Sequence, residues 1–447
     1  MKSIHTLGSV LVGMACTACT QSVDTAQLEN HFLTHLQGEA TSFTSDLTIP
    51  KEEINDYQQM VWSAWRAANA RFEEDKLPAL TPLSEKKDYK WPLPENLEPH
   101  AVMPFYYGTK GEEPAEGWPL FLYINGSGDK EHEWSASYMY ANKFDDAPSA
   151  YFIPQIPNVG KYYRWWQQSK LFAWERLIRL SFADEHIDHN RFYMIGISEG
   201  GYGSQRLASF YADYLAAVGP MAGGEPAVEA PAENCGHIGF SLRTGAEDYM
   251  FGRERLVREA MLAYDSLEQQ YPGEYRHFIE VIPGYEHHID YMPTPPWVRK
   301  FERRLHPKHF IWIDYALDGK FRKGFYNLEV RQRASEDPEL RTRYDMNIQG
   351  NVVDLKAQKV VYEATYREPK WDIPITFAKH YSTADKGAVT VYLNSQLVDL
   401  DKEVTIRVNG KQLYKGMVAP TLKSMVTSCQ CYFDPERVYP VGVEVAW

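Results

Sequence analysis

A serine attacks an acyl carbon only when a base takes its proton and the chain presents its hydroxyl to substrate. Gly196-Ile-Ser198-Glu199-Gly200 has the composition for that task. An apolar run, Phe192–Ile195, precedes it and a helical run over 199–212 follows. Ser198 is therefore predicted at a sharp strand-to-helix turn, the nucleophile elbow. The glycines let the backbone bend without a Cβ clash. The helix that follows points its positive end at the developing oxyanion.

Such a serine needs an acid and then a histidine, in that chain order. Gly245-Ala-Glu247-Asp248 follows the strand-like run Ile238–Leu242; Asp248 is the first choice of acid and Glu247 the alternative. Pro283-Gly284-Tyr-Glu-His287-His288 follows the run His277–Ile282; His287 is the first choice of base and His288 the alternative. An oxyanion hole needs two backbone N–H groups. Glu199 supplies the first. Asn125-Gly126-Ser127-Gly128, after Leu120–Ile124, supplies the second, with Ser127 the expected donor. This chemistry is acyl transfer and needs no metal or organic cofactor.

Lys161-Tyr-Tyr-Arg164-Trp165-Trp166 follows the run Tyr151–Ile156 and is the candidate substrate-binding stretch. Arg164 suits a uronate or phosphate-like anion, and Trp165 and Trp166 suit a sugar face. The competing reading has these residues start a helix and pack in the core. Glu131, His132 and Trp134 are a second candidate. Arg299-Lys300 with Arg303-Arg304 reads as a solvated helix face.

Stepping outward, short apolar runs alternate with helical stretches near 134–143, 163–182, 199–212 and 252–270. That alternation predicts an α/β region over 100–306 with a mostly parallel sheet and helices on both faces. From 307 to 447 the runs are β-rich, including Phe310–Tyr315, Val360–Tyr366, Ala388–Leu393 and Val441–Val445. A β-sandwich-like domain is expected there. Pro374 marks an edge strand or bulge, and Asn409-Gly410 a hairpin turn. Residues 20–99 are expected to hold a tether, a short helix near Leu28–Leu36 and a strong helix at 51–75.

Over 100–305 the chain resembles exported bacterial α/β-hydrolase serine esterases of the dienelactone-hydrolase and prolyl-oligopeptidase-like group. The resemblance rests on Asp188-His-Asn-Arg191-Phe-Tyr-Met-Ile-Gly196-Ile-Ser198. Val408-Asn409-Gly410-Lys411 resembles the β-rich extension that some of these enzymes carry. The resemblance implies an α/β-hydrolase fold and removal of methyl or acyl esters from a plant polysaccharide, as in α/β-hydrolase pectin methylesterases. Two other readings stand beside it. A serine peptidase of prolyl-oligopeptidase-like type shares the elbow, but too few residues precede this one for the usual propeller. A non-catalytic carbohydrate-binding protein on the same scaffold would not need the serine, acid and histidine.

Forty-seven Lys and Arg against sixty Asp and Glu leave a formal charge of −13 over 447 residues. That argues against nucleic acid, whose binding depends on basic groups. The aromatic share of 14% serves mainly core packing, with some rings available as sugar platforms. Residues 1–19 read as a lipoprotein-type signal: Lys2 and His5, an apolar run Leu7–Ala18 too short to span a bilayer, then Cys16 and Cys19. Cys19 is the preferred anchor and an ordinary secretory signal the alternative. The expectation is export to the periplasm or cell surface, with membrane contact only through a lipid anchor. Cys235, Cys429 and Cys431 lack zinc spacing and are expected as buried free thiols, the last two in a strand-like segment.

Overall fold

The computed structural model describes residues 23–45, 47–72, 76–335, 337 and 339–447; the expected signal, with Cys16 and Cys19, lies outside them. Two helices come first, α1 (Thr25–Leu36) and α2 (Ile54–Arg71). The α/β layer follows: β1 (Asp88–Pro92), β2 (Val102–Lys110), β3 (Trp118–Ile124), α3 (Lys130–Lys143), β4 (Ser149–Pro154), α4 (Gln168–Ala183), β5 (Ile187–Ile197), α5 (Glu199–Tyr211), β6 (Ala217–Met221), β7 (Gly239–Gly245), α6 (Arg253–Gln270), β8 (His277–Ile282) and α7 (Thr294–Val298).

Its eight strands are ordered β1-β2-β4-β3-β5-β6-β7-β8. β1 and β2 pair antiparallel and β2 meets β4 antiparallel. From β4 onward every pairing is parallel. β3 is buried along its whole length, as a strand covered on both faces must be. Leu120, Leu122 and Ile124 join one core with residues of α4, α5 and α6, while Phe121 and Tyr123 join another with residues of α3 and α7. This sheet, with its antiparallel edge and a strand-to-helix turn at Ser198, is the α/β-hydrolase fold.

The remaining strands are β9 (His309–Asp314), β10 (Gly324–Phe325), β11 (Leu328–Gln332), β12 (Arg341–Gln349), β13 (Val352–Glu368), β14 (Ile373–Thr383), β15 (Ala388–Leu393), β16 (Val404–Val408), β17 (Lys411–Gly416) and, after α8 (Leu422–Tyr432), β18 (Val441–Ala446). They form a four-stranded sheet, β10-β11-β15-β18, and a six-stranded one, β17-β16-β13-β12-β9, with β14 paired to β13. Asn409 and Gly410 both adopt positive φ in the β16–β17 turn, the two-residue hairpin geometry that Asn-Gly favours. Pro374 sits on β14, whose ladder is with β13 alone, beside a register shift.

Three expectations change. Cys429 and Cys431 lie on helix α8, not on a strand. Leu422, Met425, Val426 and Cys429 recur at helical spacing and pack against Phe32 of α1 and Val61, Ala64 and Trp65 of α2. Arg303 is not on a solvated face: α7 ends at Val298, and Arg303 is buried in an ion pair with Asp434. Helix α4 begins at Gln168, so 163–167 is an irregular turn rather than a helical start.

Candidate active site

Ser198 occupies the whole turn between β5 and α5, with φ 56° and ψ −114°. A non-glycine residue in that region stores roughly 1–3 kcal/mol of strain and must be held from outside. Its N–H donates to the Met221 carbonyl at 2.9 Å, and its carbonyl accepts from the Tyr202 N–H at 3.0 Å. The flanking glycines are required by contact. A Cβ on Gly196 would lie 2.1 Å from the Gly200 carbonyl oxygen, and one on Gly200 would lie 2.1 Å from that of Ile124.

The loop after β8 brings His287 over this turn. Its Nε2 is 2.9 Å from Ser198 Oγ, and its Nδ1 is 2.7 Å from Asp248 Oδ2. With Nδ1–H donating to the carboxylate, Nε2 is left to accept from the serine hydroxyl. The loop seats on the end of β7. A Cβ on Gly245 would strike the carbonyl oxygens of Glu286 and Tyr285 at 2.0 and 2.2 Å, and the Glu247 N–H donates to Tyr285 at 2.9 Å. His288 and the Glu247 side chain are exposed and outside the array.

Asp248 is buried. Burial pushes its carboxyl upward, but the His287 hydrogen bond and the Arg253 charge outweigh that and hold it below the usual carboxylate range. Arg253, the first residue of α6, donates from Nη1 to Asp248 Oδ1 at 2.6 Å and from Nε to the Tyr202 hydroxyl at 2.7 Å. Arg253 is not among the residues expected from sequence; its only signal there is a cation five residues after Asp248.

Glu199 opens α5, so its N–H stands at the helix start beside Ser198. In the 125–128 loop, Gly126 comes against Ser198: a Cβ there would be 3.3 Å from that of Ser198. Ser127 is exposed beside it. The loop is clamped from beneath. Trp165 Nε1 donates to the Asn125 carbonyl at 2.8 Å, the Tyr163 hydroxyl to that of Gly126 at 2.9 Å, and Asn125 Nδ2 to that of Pro154 at 3.1 Å.

Trp165 is fully buried, which removes it from the substrate-binding set; its indole N–H had to reach a buried carbonyl. Trp134 likewise stacks on Tyr106 at 4.1 Å and donates to Ile153. Arg164 and Trp166 do face open space. They line a cleft of about 370 Å³ together with Glu199, Tyr202, Arg206 and Phe251. Arg164 Nη1 lies 3.3 Å from Glu199 Oε1. Arg206 covers the Trp166 ring at 4.2 Å and is bound to Glu225 at 2.7 and 2.9 Å. Burial pushes Glu225 up to about 7 against the pull of Arg206.

No protein-family model and no curated protein matches the chain. Solved structures with similarity to it include a thermostable esterase (18% identity, TM-score 0.37), covering 48% of this chain and 63% of that one. A ferulic acid esterase (11%, TM-score 0.37) covers 48% and 97%. Est1E from Butyrivibrio proteoclasticus (14%, TM-score 0.33) covers 48% and 96%. Among the described residues, no helix is long and apolar enough to cross a membrane.

Proposed function

We propose that this protein is a serine carboxylic-ester hydrolase that removes methyl or acyl esters from a plant polysaccharide such as pectin. The observation that carries the reading is the chain of two hydrogen bonds from Ser198 through His287 to Asp248, 2.9 and 2.7 Å long. Ser198 Oγ attacks the ester carbonyl carbon while His287 Nε2 takes its proton. The N–H groups of Glu199 and Ser127 hold the oxyanion. The tetrahedral intermediate collapses, the C–O bond to the alcohol breaks, and His287 returns the proton to the leaving oxygen. Water, deprotonated by the same imidazole, then releases the acid from the acyl-enzyme. Asp248 keeps the imidazole oriented and stabilises its cationic form.

The polysaccharide part of the reading rests on the family resemblance and on the ring-lined cleft in which Arg164 meets Glu199, the residue after Ser198. Export with a lipid on Cys19 belongs to the same reading.

Turnover of a chromogenic acetate ester by the native protein and by Ser198→Ala tests the chemistry. Loss of about 10⁴-fold or more is expected; an inactive native protein ends the proposal. Cleavage of peptide amides instead of esters identifies a peptidase. Methanol or acetate released from a panel of pectins and xylans tests the substrate, and release of neither removes the polysaccharide.

A further inference from the structure

From Val352 to Val360, β13 pairs with β12 on one side. On the other it meets β16 and then β14. Beyond Val360 it pairs with β14 alone, so residues 361–380 leave the sheet as a two-stranded arm. An isolated two-stranded ribbon is marginal in water, and this one is held by the α/β layer. Lys379 pairs with Glu233. The Tyr366 hydroxyl accepts from Arg255 at 2.6 Å, and Trp371 meets the Phe251 ring at 5.3 Å. Ile375 is buried, with its Cδ1 3.2 Å from where a Gly252 Cβ would stand. Register shifts between Ala364 and Arg367 bend the arm where it reaches α6. At its end, Ile373 and Pro374 line the cleft that Glu199, the residue after Ser198, also lines.

We infer that this arm is the specificity element of the site, walling the cleft so that it selects esters bearing a ring with an apolar face over short-chain esters. The inference rests on the esterase reading. Ile373, Pro374 and Phe251 give the cleft apolar surface beside the charged groups of Arg164, Arg206 and Glu229, and a cleft of this size holds a ring and its substituents rather than a methyl or acetyl group alone. Binding energy from the part of a substrate remote from the ester is what such a wall adds to the reaction.

Two variants test it. In one, residues 365–376 are replaced by Asn-Gly, closing the ribbon just beyond the Ala364–Phe377 pair. The other is Ile373→Asp, which keeps the test alive should the shortened chain fail to fold. The readout is kcat/KM on acetylated xylan or methyl-esterified galacturonan divided by kcat/KM on ethyl acetate, followed by acid release. The ratio is expected to fall at least tenfold in both variants. A ratio within threefold of native in a variant that melts like the native protein overturns the inference alone. So does a native protein that prefers ethyl acetate to both polymers. A native protein that cleaves none of the three overturns the esterase reading, and the arm's role with it.

Discussion

Arg253 grips the Asp248 oxygen that His287 leaves unused, at 2.6 Å, while its Nε holds the Tyr202 hydroxyl one helical turn beyond Ser198. One buried guanidinium thus ties the loop of Asp248 to the helix that follows Ser198. Asp248 has one oxygen for His287 and one for its own anchor.

Arg253→Gln is expected to lower kcat by about 10- to 100-fold, the equivalent of a charge-assisted hydrogen bond worth about 1.5–3 kcal/mol. KM should stay near native, because Arg253 is a positioning residue. The pH profile carries the sign. Asp248 is held below the usual range in the fold, so its contribution is present above that range and fades as pH falls through its own lower value. Removing the Arg253 charge raises the folded value, so the acid side of the melting curve moves to higher pH. An unshifted melting curve with an unchanged kcat would refute this role.

Trp165→Phe removes the N–H that the buried Asn125 carbonyl accepts. An unsatisfied buried carbonyl costs about 1–3 kcal/mol. The expected result is a lower melting temperature and a kcat loss of about tenfold at nearly constant KM on small and polymeric esters alike. A KM rise confined to the polymers would instead mean that the ring meets sugar.

A buried ion network joins the α/β layer to the C-terminal sheets. Arg322 binds Asp213 at 3.0 Å through both carboxylate oxygens. Arg437 bridges Asp213 at 2.5 Å and Asp434 at 2.7 Å, and Arg303 also pairs with Asp434. Burial pushes both carboxyls up, but the arginines outweigh it and hold both below the usual range. Their stabilisation is therefore complete above about pH 4 and is lost as pH falls further. Asp434→Asn should cost about 3–5 kcal/mol at neutral pH and flatten the acid side of the melting curve. A change below 1 kcal/mol in denaturant titration would contradict it.

His309 gives the opposite slope. Burial pulls its pKa down, but Asp345 and Glu274 outweigh that and raise it to about 9; Nδ1 lies 3.0 Å from Glu274 and Nε2 3.5 Å from Asp345. A raised folded value stabilises fully below about pH 6.5, and the effect is lost as pH rises toward 9. The melting temperature should fall across that window in the native protein and stay flatter in His309→Gln. Parallel curves for the two proteins would exclude the clamp.

The part of this site that is legible in the sequence is the part made locally. Ser198 announces itself because its glycines, strand and helix are contiguous. Asp248 and Glu247 are indistinguishable as letters; which one faces inward is decided by the turn after β7, where the Glu247 N–H is spent on Tyr285. Trp165 and Trp166 are neighbours of the same type, yet one is consumed by a carbonyl forty residues away and the other faces the cleft. Cys429 looks strand-borne until α1 and α2 are there to receive its helix face. The charged alternation of Asp354-Leu-Lys-Ala-Gln-Lys359 hid the first half of β13, and with it the length of the arm.

One apolar cluster runs from Trp91 through α4, α5 and α6 into the C-terminal strands, and α1 and α2 cap α8 at the far end of the chain. Few cuts in such a body leave its interior sealed, so the reactive layer is poorly suited to transplantation as a cartridge. The ribbon at 361–380 is different. It lies outside the ladder that β12 supports and reaches the α/β layer through Ile375 and the Lys379–Glu233 pair. A ribbon of another length or sequence would therefore redraw one wall of the cleft while Ser198, Asp248 and His287 stayed where they are.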